Sequence, residues 1–189
     1  MKNFQCLATG IDMAPLMNAI LRRPALWRED TYLRDYPQGP FANVESIMLR
    51  FPVKGVKETE EELRDHLSTH DQHESIDYPA LALLPMARPV IFGLMRTVEG
   101  ERLGRVMINK VAPGGVIYPH ADTPAHVDYY SRYHVVLHSR PGVAFRCGDE
   151  KVYMATGEAW WFNNALEHEV VNNSADDRIH MVIDIKTSR

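Results

Sequence analysis

Cysteine is almost missing from this 189-residue chain: Cys6 and Cys147 are its two thiols, too few and too far apart for a disulfide framework. Both read as reduced, which fits a reducing compartment. Positive charge is not in excess either. Twenty-one Lys and Arg stand against 25 Asp and Glu, a net charge of −4, and no basic run offers a footprint for nucleic acid or a membrane surface. No apolar run is long enough to span a bilayer, and the first residues lack the apolar core and small-residue cleavage site of a signal peptide. Internal repeats and low-complexity tracts are absent as well. These absences exclude disulfide scaffolds, nucleic-acid binders and membrane-spanning helices, and make a cytoplasmic protein the expectation. The oligomeric state has no signal in the sequence.

What is present is an ordinary globular composition, 45% hydrophobic and 24% charged. A chain of this length fits one domain that buries about 70% of its unfolded surface. Its two halves differ in texture. Residues 12–23 carry Leu16, Ala19 and Ile20 at helical spacing, with Asp12 as N-cap, Pro15 in the first turn and Pro24 beyond the end. Val44–Phe51 reads as a strand closed by Pro52. The segment 57–77 is polar and strongly acidic from Glu58 to Glu62, a solvated loop or a lid. Helical spacing returns over Met86–Val98. After Gly104, short runs rich in Val, Ile, Tyr, Phe and Trp alternate with turn residues such as Pro113-Gly114-Gly115, Pro141-Gly142 and Thr156-Gly157. That spacing predicts a jelly-roll-like β barrel with an N-terminal helical layer packed on one side.

The chemistry concentrates between His120 and Asp128, which holds two overlapping pairs, His120-Ala121-Asp122 and His126-Val127-Asp128. A His-x-Asp pair with a distant second His can present three ligands on one face of a ferrous iron and leave the other face open. His120 and Asp122 follow a turn and a short strand, where residues two apart share a face. His126 and Asp128 sit in a polar connection without apolar framing, and read as a surface loop or a substrate rim spanning Thr123–Tyr130. His168 is the candidate third ligand, beside the apolar run Trp160-Trp161-Phe162, although a His between two Glu also fits an exposed position. Arg178 opens an alternating strand, and an Arg inside a barrel needs an anion, which a dicarboxylate cosubstrate supplies with bidentate geometry. Arg132 and His134 share a strand face suited to a carboxylate.

From about Arg105 to Lys186 the chain resembles the aspartyl/asparaginyl β-hydroxylase family of Fe(II)- and 2-oxoglutarate-dependent oxygenases, which also includes bacterial hydroxylases acting on free proline. The matching pieces are Asn109-Lys110-Val111-Ala112-Pro113-Gly114, Pro119-His120-Ala121-Asp122, Arg132-Tyr133-His134, Phe145-Arg146-Cys147-Gly148, Gly157 to Asn164, Glu167 to Val170, and Arg178-Ile179-His180. The resemblance implies a double-stranded β-helix (jelly-roll, cupin-like) core over 104–189, with 1–103 as a mixed helical part of one oxygenase domain. It implies His120, Asp122 and His168 as iron ligands and Arg178 as the partner of the distal carboxylate of 2-oxoglutarate. Arg132 and His134 would hold the carboxylate near the metal, and Asn109 an assisting position. Asp122 places the chain with the bacterial branch, since the animal peptide hydroxylases lack the carboxylate ligand.

The activity so implied is hydroxylation of an amino acid, an amino-acid-like small molecule, or an Asp, Asn or Pro side chain of a peptide, consuming O2 and releasing succinate and CO2. Substrate selection is expected from Trp27, Arg34, Arg50 and the Thr123–Tyr130 loop with His126, with Trp160 or Trp161 as a dry wall. Arg50, in an apolar strand, suggests a substrate carboxylate or an outward-facing residue. The rival reading is a cupin-like metal-dependent isomerase or small-ligand-binding protein, which would leave Arg178 without a reason.

Overall fold

β-branched and aromatic residues fill the second half at period two, and in the computed structural model those runs form strands paired antiparallel. The structure describes residues 1–36, 39–53, 61, 71 and 73–188; nearly all of the acidic segment after Lys57 lies outside them. In chain order the elements are β1 (Phe4–Ala8), α1 (Ala14–Leu21), α2 (Leu26–Glu29), α3 (Tyr32–Asp35), β2 (Val44–Phe51) and β3 (Ile76–Asp77). Then follow α4 (Pro79–Leu83), α5 (Ala87–Thr97), β4 (Gly100–Val111), β5 (Val116–His120) and α6 (Pro124–Tyr129). The chain closes with β6 (Ser131–His138), β7 (Val143–Cys147), β8 (Glu150–Val152), β9 (Ala159–Phe162), β10 (His168–Asn172) and β11 (Arg178–Thr187).

Among the described residues, a seven-stranded sheet runs β1-β9-β6-β11-β4-β2-β3 and a four-stranded sheet runs β5-β10-β7-β8. The fold is mainly β, a jelly-roll of two facing sheets with a helical layer, as the strand spacing predicts. The chain crosses from the larger sheet to the smaller at Pro113-Gly114, where Gly114 takes φ +77° and its N–H donates to the Asn172 carbonyl at 2.7 Å.

Period two divides the larger sheet into two faces. Val106 and Ile108 of β4, Tyr133, Val135 and Leu137 of β6, and Ile179, Met181, Ile183 and Ile185 of β11 are buried in one cluster with Leu16 and Ile20 of α1 and Ile91 and Leu94 of α5. Each fully buried Leu or Ile there contributes about 1.5–3 kcal/mol. The opposite face, with Val111, Val136, Trp160 and Phe162, meets Phe145, Val143 and Val170 of the smaller sheet. Polar residues interrupt that inner face, and they form the site.

Local expectations hold with small shifts. Val44–Phe51 is a strand with the expected bounds, and the helix read over Met86–Val98 spans Ala87–Thr97. The first helix begins at Ala14 with Met13 as N-cap; Asp12 lies one residue outside, where its carboxylate accepts the Ala14 N–H at 2.9 Å. The Thr123–Tyr130 loop is instead mostly helix, α6, opened by Pro124 in its first turn. No helix among the described residues is long and apolar enough to cross a membrane.

Candidate metal centre and anion pocket

His120 ends β5 and His168 begins β10, and the two are direct cross-strand partners. Their ring centroids lie 4.2 Å apart. Each imidazole is fixed in the same way: Nδ1 of His120 is 2.8 Å from the Tyr118 carbonyl, and Nδ1 of His168 is 2.9 Å from the Leu166 carbonyl. A carbonyl only accepts, so Nδ1 carries the proton in both rings and Nε2 keeps its lone pair. Nε2 of His120 is buried and has no hydrogen-bond partner among the described residues. A buried orphan of this kind calls for a ligand.

Asp122 follows β5 by two residues and is held by Asn164, whose carbonyl accepts the Asp122 N–H at 3.1 Å and whose amide donates to Oδ2 at 2.7 Å. The Arg132 guanidinium reaches the same Oδ2 at 2.7 Å. Both donors thus converge on one oxygen, which leaves Oδ1 for another partner. Ligand atoms of His120, Asp122 and His168 all lie within 4.8 Å of one another. Ligands of one ion on a single face lie about 3 Å apart at bond lengths of about 2.0–2.2 Å, so the three side chains are gathered and need draw in only slightly to share a metal. Protonation states agree. Burial, and then the neighbouring His120, push His168 down to about 4, and burial likewise lowers His120. Burial alone would raise Asp122, but Arg132 and Asn164 outweigh it and hold the carboxyl below its usual range. Two neutral imidazoles and one carboxylate are what a ferrous facial triad requires, so these residues fit the metal that the sequence implies.

Deeper in the same pocket, Arg178 is fully buried. Its Nη2 donates to Nδ1 of His180 at 2.9 Å, while Nε and Nη1 have no partner among the described residues. Burial lowers its pKa to about 9, so it remains a cation at neutral pH. His134 and His180 lie against it and are held well below 6.5, by burial first and by the Arg178 charge second. A buried cation facing neutral rings, with no carboxylate beside it among the described residues, is costly unless an anion arrives. The pocket, about 660 Å³ when counted to its open mouth, joins Arg178 to the three-ligand cluster through the walls Phe145 and Phe162.

Several expected residues have other placements. Arg132 and His134 both line the pocket, but the Arg132 guanidinium is already occupied: Nε and Nη2 grip Asp184 at 2.8 and 3.0 Å, and Nη1 holds Asp122. His126 is not on a surface loop. It is buried in α6, with Nε2 3.0 Å from Asp184 and 3.1 Å from Arg132. Asp184 with its partners Arg132 and His126, and Asp122 on the far side of Arg132, form one connected charge network. Asn109 lines the pocket and accepts the Ser46 hydroxyl at 2.9 Å. Arg50 binds Asp77, the Ser75 carbonyl at 2.6 Å and the Gly104 carbonyl at 3.4 Å, so its charge ties β3 to β2 rather than meeting the pocket. Arg34 pairs with its neighbour Asp35 at 3.2 Å.

Strand parity turns Trp160 and Trp161 of β9 to opposite faces of the larger sheet. Trp161 packs with the helical layer on the outer face of the larger sheet, as does Trp27, which lies under the Lys110 ammonium at 4.8 Å. Trp160 points inward but belongs to the inter-sheet core, its indole N–H donating to Glu158 at 2.8 Å. The aromatic pocket wall is made instead by Phe41, Phe51, Phe145 and Phe162. Asn164, Asp184 and Arg105 were also passed over. Asp184 had a signal, since it shares parity with Arg178 along β11; Arg105 shares parity with Asn109 along β4.

Comparison with known proteins agrees with this geometry. Residues 79–188 match the model of a family described as aspartyl/asparaginyl beta-hydroxylase. Over 127 residues the chain is 28% identical to an L-proline cis-4-hydroxylase of Rhizobium meliloti (strain 1021), a match covering 66% of this chain and 45% of that protein. The chain therefore spans less than half the length of that curated relative. Among solved structures, the viral collagen prolyl hydroxylase of Paramecium Bursaria Chlorella virus-1 aligns with a TM-score of 0.50 at 11% identity, covering 98% of this chain and 97% of that one. A Pseudomonas putida prolyl-4-hydroxylase aligns at 0.49 and 13%, covering 99% and 94%. At 11% identity the likeness to the viral enzyme concerns the fold alone.

Proposed function

The chain belongs to the aspartyl/asparaginyl β-hydroxylase family, and from that premise we propose that it is an Fe(II)- and 2-oxoglutarate-dependent hydroxylase of an amino acid, an amino-acid-like molecule, or an Asp, Asn or Pro side chain of a peptide. The observation that carries the reading is the pairing, in one pocket, of a His-Asp-His cluster with an uncompensated buried guanidinium. His120, Asp122 and His168 would hold the iron, and Arg178 the distal carboxylate of 2-oxoglutarate. When bound, iron and cosubstrate supply an oxidant from O2, with succinate and CO2 as products.

The protein's own contribution is positional. The Tyr118 and Leu166 carbonyls fix both imidazole tautomers, so the nitrogens offered to the metal need no proton loss. Asn164 and Arg132 orient Asp122 through a single oxygen. Arg178, with neutral His134 and His180 behind it, gives a carboxylate two open N–H donors in a low-dielectric setting. Phe145 and Phe162 exclude water around the reacting centre.

Anaerobic addition of Fe(II) and 2-oxoglutarate to the intact protein should give a weak visible charge-transfer band. In air, succinate should accumulate with one member of an amino-acid and peptide panel. His168→Ala should lose iron, whereas Arg178→Ala should keep iron and weaken 2-oxoglutarate binding by about 10- to 100-fold. A folded protein that gives no band refutes the reading; tight Zn or Mn binding without succinate would favour the cupin-like alternative.

A further inference from the structure

Among the described residues, Arg178 is not the only guanidinium in the pocket that lacks a carboxylate. Arg105 lies on β4 at the same parity as Met107 and Asn109, so all three side chains line the pocket. It sits beside the rung where Asp184 of β11 pairs with Arg132 of β6, as the neighbouring pairs Val182 with Met107 and Ile185 with Leu103 require. It is close enough to Asp122 and Asp184 to feel both charges. Yet those two carboxylates are already engaged, Asp184 by Arg132 and His126 and Asp122 by Arg132 and Asn164. Among the described residues, what Arg105 touches is the face of Phe51, with its guanidinium carbon 5.2 Å from the ring centroid. A half-buried guanidinium stacked on an aromatic ring keeps its fork of N–H donors in one plane, ready for a planar anion.

Charge balance points the same way. The pocket and its immediate wall hold three guanidinium groups, Arg105, Arg132 and Arg178, against two carboxylates, Asp122 and Asp184. A divalent iron and doubly charged 2-oxoglutarate cancel each other. One positive charge remains, and among the described residues Arg105 is the group with no carboxylate paired to it.

We propose that Arg105 is the anchor for the α-carboxylate of the substrate, which an internal residue of a peptide lacks, so that the molecule hydroxylated is a free amino acid or a similar small acid. This rests on the oxygenase reading above, and deepens it by choosing among the substrate classes. Arg50, the cation that the sequence suggested for this task, is occupied by Asp77. Arg178, at the closed end, serves the cosubstrate. Arg178 pairs with Val111, further along β4 than Arg105, so the two anions have separate anchors in one pocket, with Asn109, Arg132 and His134 among its polar lining.

The test uses the full chain loaded anaerobically with Fe(II) and 2-oxoglutarate. The probes are free L-amino acids, beginning with L-proline, each paired with its carboxamide, together with end-blocked peptides. Binding is read by calorimetry and by perturbation of the charge-transfer band, so no turnover is needed. At least one free acid should bind the unaltered protein 10-fold or more tightly than its amide and than any blocked peptide. Arg105→Gln should weaken that acid by about 10- to 100-fold, leave the amide unchanged and retain the band. Arg105→Lys, which keeps the charge without the fork, should fall between. Equal binding of acid and amide to the unaltered protein overturns the proposal. So does an acid preference that survives in Arg105→Gln, or a band-forming protein that binds no free acid at all. Absence of the band from the unaltered protein instead removes the oxygenase reading, and this inference with it.

Discussion

Asp184 accepts from Arg132 through both oxygens and from His126, and is fully buried. Burial alone would raise its pKa, but Arg132 and His126 outweigh that and hold it well below the usual carboxylate range. Removing the charge by Asp184→Asn leaves a buried guanidinium with Asp122 as its remaining acidic partner. The expected cost is about 3–5 kcal/mol, read by chemical denaturation of the metal-stripped protein. Arg132 should then move toward Asp122, so metal affinity should fall as well; a variant as stable and as metal-avid as its parent refutes the network. At this scale the sequence was readable where a residue type is chemically unusual. His120, Asp122, His168 and Arg178 stood out because His-x-Asp and a barrel Arg demand reasons. Asp184 and Arg105 carry only the weaker signal of parity, because their meaning depends on which residue lies across the sheet, and register is not written in either strand alone.

Among the elements that the sequence does not declare, α6 bears most on the site. Six residues, Pro-Ala-His-Val-Asp-Tyr, are too few to show an amphipathic period, and a helix this short is not stable by itself. Tertiary contacts hold it: His126 reaches into the charge network, and Tyr130, at its C-cap, donates its hydroxyl to the His73 carbonyl at 2.5 Å. The Tyr130 ring lies over Gly104, where an added Cβ would be 2.7 Å from the ring. Gly104→Ala should therefore push Tyr130 and α6 off β4 and cost about 1–3 kcal/mol, seen as a lower thermal midpoint. An unchanged midpoint would mean that the ring yields freely. By contrast, β2 and α5 were legible within a residue or so, since each carries enough apolar positions to declare its period.

For the molecule as a whole, pH exposes the cost of its buried imidazoles. His120, His134, His168 and His180 all have lowered pKa values in the fold, His168 to about 4, with burial the largest cause in each. Unfolded histidines protonate near 6.5, so below that pH the unfolded state takes up protons that the folded state refuses. The stability due to these groups is therefore complete above about pH 6.5 and is lost as pH falls toward the folded values. Each contributes a slope of up to about 1.4 kcal/mol per pH unit. Urea unfolding of the metal-stripped protein from pH 7.5 to 5 should show a steep decline, and a flat profile would contradict it. The architecture itself was visible from turn spacing, but the division of the larger sheet into two faces was not, because alternation does not say which face meets helices. That division has a further consequence. Along β4, β6 and β11, adjacent codons answer to different demands: Ile179, Met181, Ile183 and Ile185 keep the fold, while Arg178, His180, Val182 and Asp184 keep the chemistry. Lineages can retune one set while leaving the other alone, but a single-residue slip in β11 would exchange the two sets at once.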